Sequence, residues 1–111
     1  MNSPSLLHHR LQVWQLALEL VRVVHSIRIA DAEDRGQARK AASSCARNIA
    51  EGAARRSRGD KARVYAIARG ECGEAVACVE LSGVKGGTAE ADVKRVVELG
   101  SRVSAILYRL G

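Results

Sequence analysis

The sequence has no phenylalanine, one tryptophan, two tyrosines and one proline, Pro4, in 111 residues. Its core must therefore be assembled from small aliphatic side chains, and little is left over to stack on nucleic-acid bases. No uninterrupted apolar run approaches the roughly 20 residues of a membrane-spanning helix, which excludes a helical membrane protein. The three cysteines, Cys45, Cys72 and Cys78, are odd in number and none forms a C-x-x-C pair, so neither a disulfide framework nor a zinc knuckle is encoded. On a helix, Cys72 and Cys78 stand about 240° apart and could not clamp one ion together. They read as small buried hydrophobes. The N-terminus lacks a basic head followed by an apolar stretch and a cleavage site, so the expected location is the cytoplasm.

What is present fits one folded domain spanning residues 1–111, with 47% hydrophobic and 27% charged residues. The net charge is +6, and it is uneven along the chain. From Arg35 to Arg69 there are ten Lys or Arg against Glu51 and Asp60, while the remainder is slightly acidic. A local positive field of this kind is the footprint of a polyanion binder, although a solvated basic face accounts for the charge alone.

Turn signals around Asp31 to Gly36, Ser57 to Asp60 and Gly83 to Gly87 divide the chain into four segments. The first, Leu11 to Ile29, repeats Val13, Ala17, Leu20, Val24 and Ile27 at helical spacing, with Trp14, Leu18 and Val21 beside that row. The second, Gln37 to Arg56, turns Ala38, Ala41, Ala42, Cys45, Ile49 and Ala53 inward, and Asp34 is a suitable cap for it. The third starts at Ser57 or Asp60 and carries Val64, Ile67, Ala68, Cys72, Ala75 and Val79 before Gly83 stops it. The fourth follows Thr88 as N-cap, with a core row of Val93, Val96 or Val97, Gly100, Val103, Leu107 and Leu110. No stretch alternates with period two. The expected fold is all-α, an antiparallel up-down-up-down four-helix bundle.

On the third helix Ala66, Gly70, Gly73 and Ala77 form a seam of small residues. Interior glycine costs a helix on the order of 1 kcal/mol relative to alanine, which is tolerable if another backbone packs close. Spacing leaves open whether that backbone is a neighbouring helix or another subunit. A core so poor in large side chains favours oligomerisation.

The residue types that carry catalysis are missing from useful patterns. A lone Glu51 has no second acid, nearby His or phosphate loop, and Ser43-Ser44-Cys45 lacks the glycines of a nucleophile elbow. His8, His9 and His25 read as surface or boundary residues. No enzyme, metal site or cofactor is expected. Asn48, Glu51 and Arg55 share one face of the second helix and suggest a hydrogen-bonded clamp, with Arg69 as a partner from the third. The run from Arg55 to Arg63 is the most concentrated basic stretch, and it falls at the turn between helices two and three. Arg47, Arg55, Arg56, Arg58, Lys61 and Arg63 are the candidate phosphate contacts, near a helix start with free N–H groups. Tyr65 is the only aromatic near them, so binding should read phosphates, depend steeply on salt and select sequence weakly.

The block Ser43-Ser44-Cys45-Ala46-Arg47-Asn48-Ile49-Ala50-Glu51-Gly52, followed by Arg55-Arg56-Ser57 and by Ala68-Arg69-Gly70-Glu71-Cys72-Gly73-Glu74, resembles a known family. So does the opening Leu11-Gln12-Val13-Trp14-Gln15-Leu16-Ala17. It is the family of bacterial four-helix-bundle proteins encoded in intervening sequences of large-subunit ribosomal RNA genes. The resemblance implies a bundle that assembles into a homopentameric ring, similar to the accessory protein of diversity-generating retroelements, a basic barrel that binds nucleic acid and a reverse transcriptase. The sequence departs from the family where Cys45-Ala46 replaces Ile-Pro, where Glu71 replaces a serine, and where a proline after the first helix is absent. Without that interior proline the second helix should run straight.

These readings converge on a non-enzymatic homo-oligomeric bundle that contacts RNA or DNA backbone through a basic band on helices two and three. Asn48, Glu51, Arg69, Gly70 and Gly73 would hold helices or subunits in register. The alternative is an interaction scaffold of the same fold, which receives an acidic protein partner such as a polymerase without touching nucleic acid.

Overall fold

The computed structural model describes residues 6–111, and Pro4 lies outside that range. A short 3₁₀ turn, Leu7–Arg10, leads into four helices: α1 Gln12–Ser26, α2 Ala32–Ala54, α3 Arg58–Val84 and α4 Glu90–Leu110. Each helix packs on its neighbours in sequence and α1 closes the ring against α4, with α2 and α3 making the most extensive contact. The helices alternate in direction. Lys85, just past α3, reaches Asp34 at the start of α2, while Lys61 at the start of α3 reaches Ala53 at the end of α2. This is the expected antiparallel bundle, and the described residues include no strand.

The first helix is shorter than its apolar pattern suggests. Ile27 is already extended at φ −81°, ψ 157°, and Ile27 and Ile29 are both buried at two-residue spacing. Their β-branched side chains serve a short extended link, which brings the Ala30 N–H to the Gly87 carbonyl at 3.1 Å. The start of α2 also differs from expectation. Asp31 is the cap, accepting the Asp34 N–H at 2.9 Å, and Asp34 sits inside the first turn with Glu33. The same three-residue spacing occurs at Asp31/Asp34 and at Asp34/Gln37, and the earlier pair wins because the link from α1 ends there. With no proline inside it, α2 is continuous over its 23 residues.

Hydrogen bonding from the Asp34 N–H holds the Asp31 carboxyl below its ordinary value near 3.8. A carboxylate with a depressed folded-state pKa stabilises the fold above that value and loses the contribution as pH falls through the folded pKa. Comparing wild type with Asp31→Asn by urea denaturation between pH 3 and 6 should therefore show a stability difference that shrinks on acidification. A constant difference would mean that the charge on this cap is irrelevant.

Ser57 caps α3, accepting the Asp60 N–H at 3.1 Å. After Val84 the chain reverses through Gly86, whose φ of +78° is a left-handed conformation that suits glycine. The sequence points to Thr88 as the cap of α4, yet Ala89 occupies that place without a side-chain bond. Thr88 instead turns inward, where its Oγ1 lies 2.6 Å from Ser82 Oγ and donates to the Arg28 carbonyl at 2.8 Å. One buried hydroxyl pair thus ties both loops at this end of the bundle.

The largest fully buried side chains are Leu20, Ile29, Ile49 and Leu107, and the rest of the core is mainly Val, Ala and Cys. Of the expected core residues, Ile67 is 44% and Leu110 41% exposed, while Val93 is only half-buried. Ile67 and Leu110 border the inward arcs of their helices, and no neighbouring helix extends over them. Between Val96 and Val97 the core takes Val96. Gly100 is required by close approach: a Cβ there would strike Val76 of α3. The small-residue seam has no such neighbour. Ala66, Gly70, Gly73 and Ala77 are all exposed, and a Cβ at Gly70 or Gly73 would meet nothing within 4 Å. No helix of the described chain packs on this seam.

Candidate nucleic-acid interface

The six candidate phosphate contacts fall into two sets. Arg55, Lys61 and Arg63 are engaged within the chain. Lys61 Nζ donates to the carbonyls of Ala53 at 2.8 Å and Gly52 at 3.3 Å, which closes the free carbonyl end of α2. Arg55 pairs with Glu51 one turn back and lies 3.6 Å from Asp60 Oδ2. Asp60 also takes Arg63 through its other oxygen, Oδ1, which accepts from Nη2 at 3.1 Å and Nε at 3.3 Å. These side chains brace the α2–α3 turn. Arg47, Arg56 and Arg58 are exposed and have no hydrogen-bond or ion-pair partner among the described residues.

The expected clamp around Asn48 takes a different form. Asn48 Nδ2 donates to the Ser44 carbonyl at 2.9 Å, one turn back on its own helix, and does not join Glu51 and Arg55. Arg69 is directed to α4, where its guanidinium carbon lies 5.0 Å from the Tyr108 ring centroid. Geometry explains the redirection: Asn48 matches the i−4 carbonyl within α2, while Arg69 lies on the side of α3 that faces α4. Glu71, the family departure, lies on the α2 side of α3 and lines a cleft with Glu74, Gln37 and Lys40.

Folding also redistributes the basic band. Arg35 and Arg39 belong to the opposite end of the bundle, where Arg35 donates to the Ile29 carbonyl at 2.9 Å and Arg39 to that of His25 at 3.4 Å. Three arginines from distant parts of the sequence join the α2–α3 end in their place: Arg10 on the 3₁₀ turn, and Arg102 and Arg109 on α4. The C-terminus of α4 lies beside the start of α3, since a Cβ on Gly111 would be 3.8 Å from the Ala62 carbonyl. The half of the bundle formed by residues 6–18, 44–70 and 101–111 carries ten Lys and Arg against Glu51 and Asp60. The other half carries eight against ten acids. The long axis is 44 Å, several times the roughly 8 Å Debye length at physiological salt, so the two ends act as separate fields.

The remaining reactive groups are occupied in packing. All three cysteines are free and buried. Hydrogen bonding to Cys72 and burial both push the Cys45 thiol far up, and the Cys72 thiol donates to the Gly100 carbonyl at 3.3 Å. No group of three His, Cys, Asp or Glu that could hold a metal ion occurs among the described residues, and no helix there is long and apolar enough to cross a membrane. Tyr65, the aromatic nearest the basic run in sequence, is buried with only 4% exposure. Tyr108 is the exposed one, at 71%. Its position is readable from the α4 pattern: with Val103 and Leu107 inward, residue 108 turns about 100° away from the core.

No curated protein matches the sequence. A family model described as 23S rRNA-intervening sequence protein matches residues 9–109, which covers the four helices almost end to end. The chain belongs to the family of 23S rRNA-intervening sequence proteins.

Proposed function

We propose that this protein is a non-enzymatic, cytoplasmic, homo-oligomeric bundle that binds nucleic-acid backbone through its basic end. The observation that carries the reading is the trio Arg47, Arg56 and Arg58, exposed and without a partner among the described residues on the end where ten basic residues face two acids. Each guanidinium can fork onto a phosphate, and the braced ion pairs beneath hold the turn in place. The family's description attaches it to intervening sequences of 23S rRNA, so structured RNA is the first ligand to test. Fluorescence anisotropy with a labelled RNA hairpin and with duplex DNA should show binding at low salt that weakens steeply as salt rises. Unchanged anisotropy at low salt would sink the reading, and salt-resistant assembly without nucleic acid would favour a protein scaffold.

Gly70 and Ala77 on the exposed seam of α3 support self-association, because they offer close backbone approach that this chain's own helices do not use. The pentamer implied by the family resemblance has a direct test. Light scattering on the purified protein should give about five times the 11.9 kDa of one chain. A mass equal to one chain across micromolar concentrations would remove the oligomer.

A further inference from the structure

We propose that the groove between α3 and α4, which runs from the middle of the bundle towards its basic end, binds an unpaired nucleobase together with its phosphate, with Tyr108 as the stacking platform. The inference rests on the nucleic-acid reading above and adds to it a preference for single-stranded segments. The groove measures about 590 Å³, within the range of about 300–1,000 Å³ typical of small-ligand sites.

Three observations shape it. First, Tyr108 presents a largely free ring on the basic end. Arg69 covers one face of that ring at 5.0 Å, so an exposure of 71% leaves the other face to solvent. A guanidinium behind an aromatic ring holds the ring upright and leaves its open face for a planar partner. Second, the floor is smooth. Gly73 is exposed and brings no side chain into the groove, while Val76 and Cys72 close the floor over Gly100, so a flat ring can lie against the α3 backbone at Gly73. Third, the polar groups at the rim are donors. Arg69, Arg109, Ser101 and Ser104 line the groove and no carboxylate does. Neither Arg69 nor Arg109 is ion-paired among the described residues. Guanidinium groups beside hydroxyls suit phosphate oxygens and the acceptor edges of bases.

Charge complementarity selects the occupant. A second copy of this chain laid in the groove would have to supply acids, whereas ten of its twelve carboxylates lie in the half away from the basic end. A single strand supplies one phosphate per nucleotide. A strand leaving the groove along α3 from Arg69 meets Arg58 about 16 Å away along the axis and only about 20° around the helix, so it remains in the positive field.

The test compares a labelled ten-nucleotide oligo(U), the matching oligo(dT) and a blunt hairpin duplex on wild type, Tyr108→Phe and Tyr108→Ala. Wild type should bind both single strands, with the ratio between them reporting whether the sugar is read. Tyr108→Phe should stay within about twofold, because the π-face is retained. Tyr108→Ala should weaken both single strands by about tenfold or more and change the duplex by less than twofold. Photocrosslinking with 5-iodouracil oligomers should place the adduct on Tyr108. Equal single-strand binding by Tyr108→Ala and wild type overturns the inference while leaving backbone binding standing. Parallel loss on strand and duplex overturns it as well, since that pattern reports phosphate binding alone. A change of oligomer mass in Tyr108→Ala would mean that the groove is a subunit interface, and the site falls. If wild type binds none of the three probes, the functional reading and this site fail together.

Discussion

Replacing Arg47, Arg56 and Arg58 together by glutamine is expected to weaken binding to duplex DNA on the order of 100-fold near 0.1 M salt, and to lower the salt slope by about 2 to 3. The slope is the sharper readout. Each neutralised phosphate releases counterions and contributes about 0.9 to the dependence of log K on log salt, so removing three contacts has a countable effect. The fold should not change, because none of the three side chains is bonded to another described residue. Arg55, Lys61 and Arg63 provide the contrast. Their neutralisation also lowers the field, but it unties Glu51, Asp60 and the carbonyls of Gly52 and Ala53, and a lower melting temperature should accompany it. A triple glutamine variant that binds like the parent with the same slope would place the contact surface elsewhere.

The second large effect lies in the core. Leu20 is fully buried in α1 and is one of the few large side chains there. Leu20→Ala should cost about 2–5 kcal/mol, because the lost transfer energy is joined by the cavity left behind. Against the roughly 5–15 kcal/mol that holds a domain of this size, such a loss brings the protein close to unfolding at room temperature. Urea denaturation at one fixed protein concentration checks it, since subunit association would otherwise shift the midpoint. A cost below about 1 kcal/mol would show that Leu20 does not fill the centre of the bundle.

Four helices and most of their inward residues were legible in the sequence because helical burial repeats every three or four residues. Val13, Ala17, Leu20 and Val24 on α1 needed nothing else. The errors lie where a tertiary partner decides. Ile27 and Ile29 look like a continuation of α1, yet a two-residue alternation is also an extended link, and the Gly87 carbonyl selects the latter. Thr88 is a good cap in isolation but finds a buried partner in Ser82. The candidate site was legible only in part. A run of arginines reveals charge, but which guanidinium is already paired depends on where Asp60 and the end of α2 arrive. Arg10, Arg102, Arg109 and Tyr108 join the basic end only through the up-down topology, and no window along the sequence contains them together.

The unequal ends of the bundle also govern how molecules meet. A polyanion feels a torque on this elongated particle before contact, which turns the arginine-rich end forward, so productive collisions should outnumber random ones at low salt. The trailing end, where carboxylates outnumber basic groups, carries a net negative charge that disfavours a second polyanion. Within one bundle, then, a nucleic acid held at the basic end is not drawn onto the opposite end as well, so each chain should engage it in a single orientation.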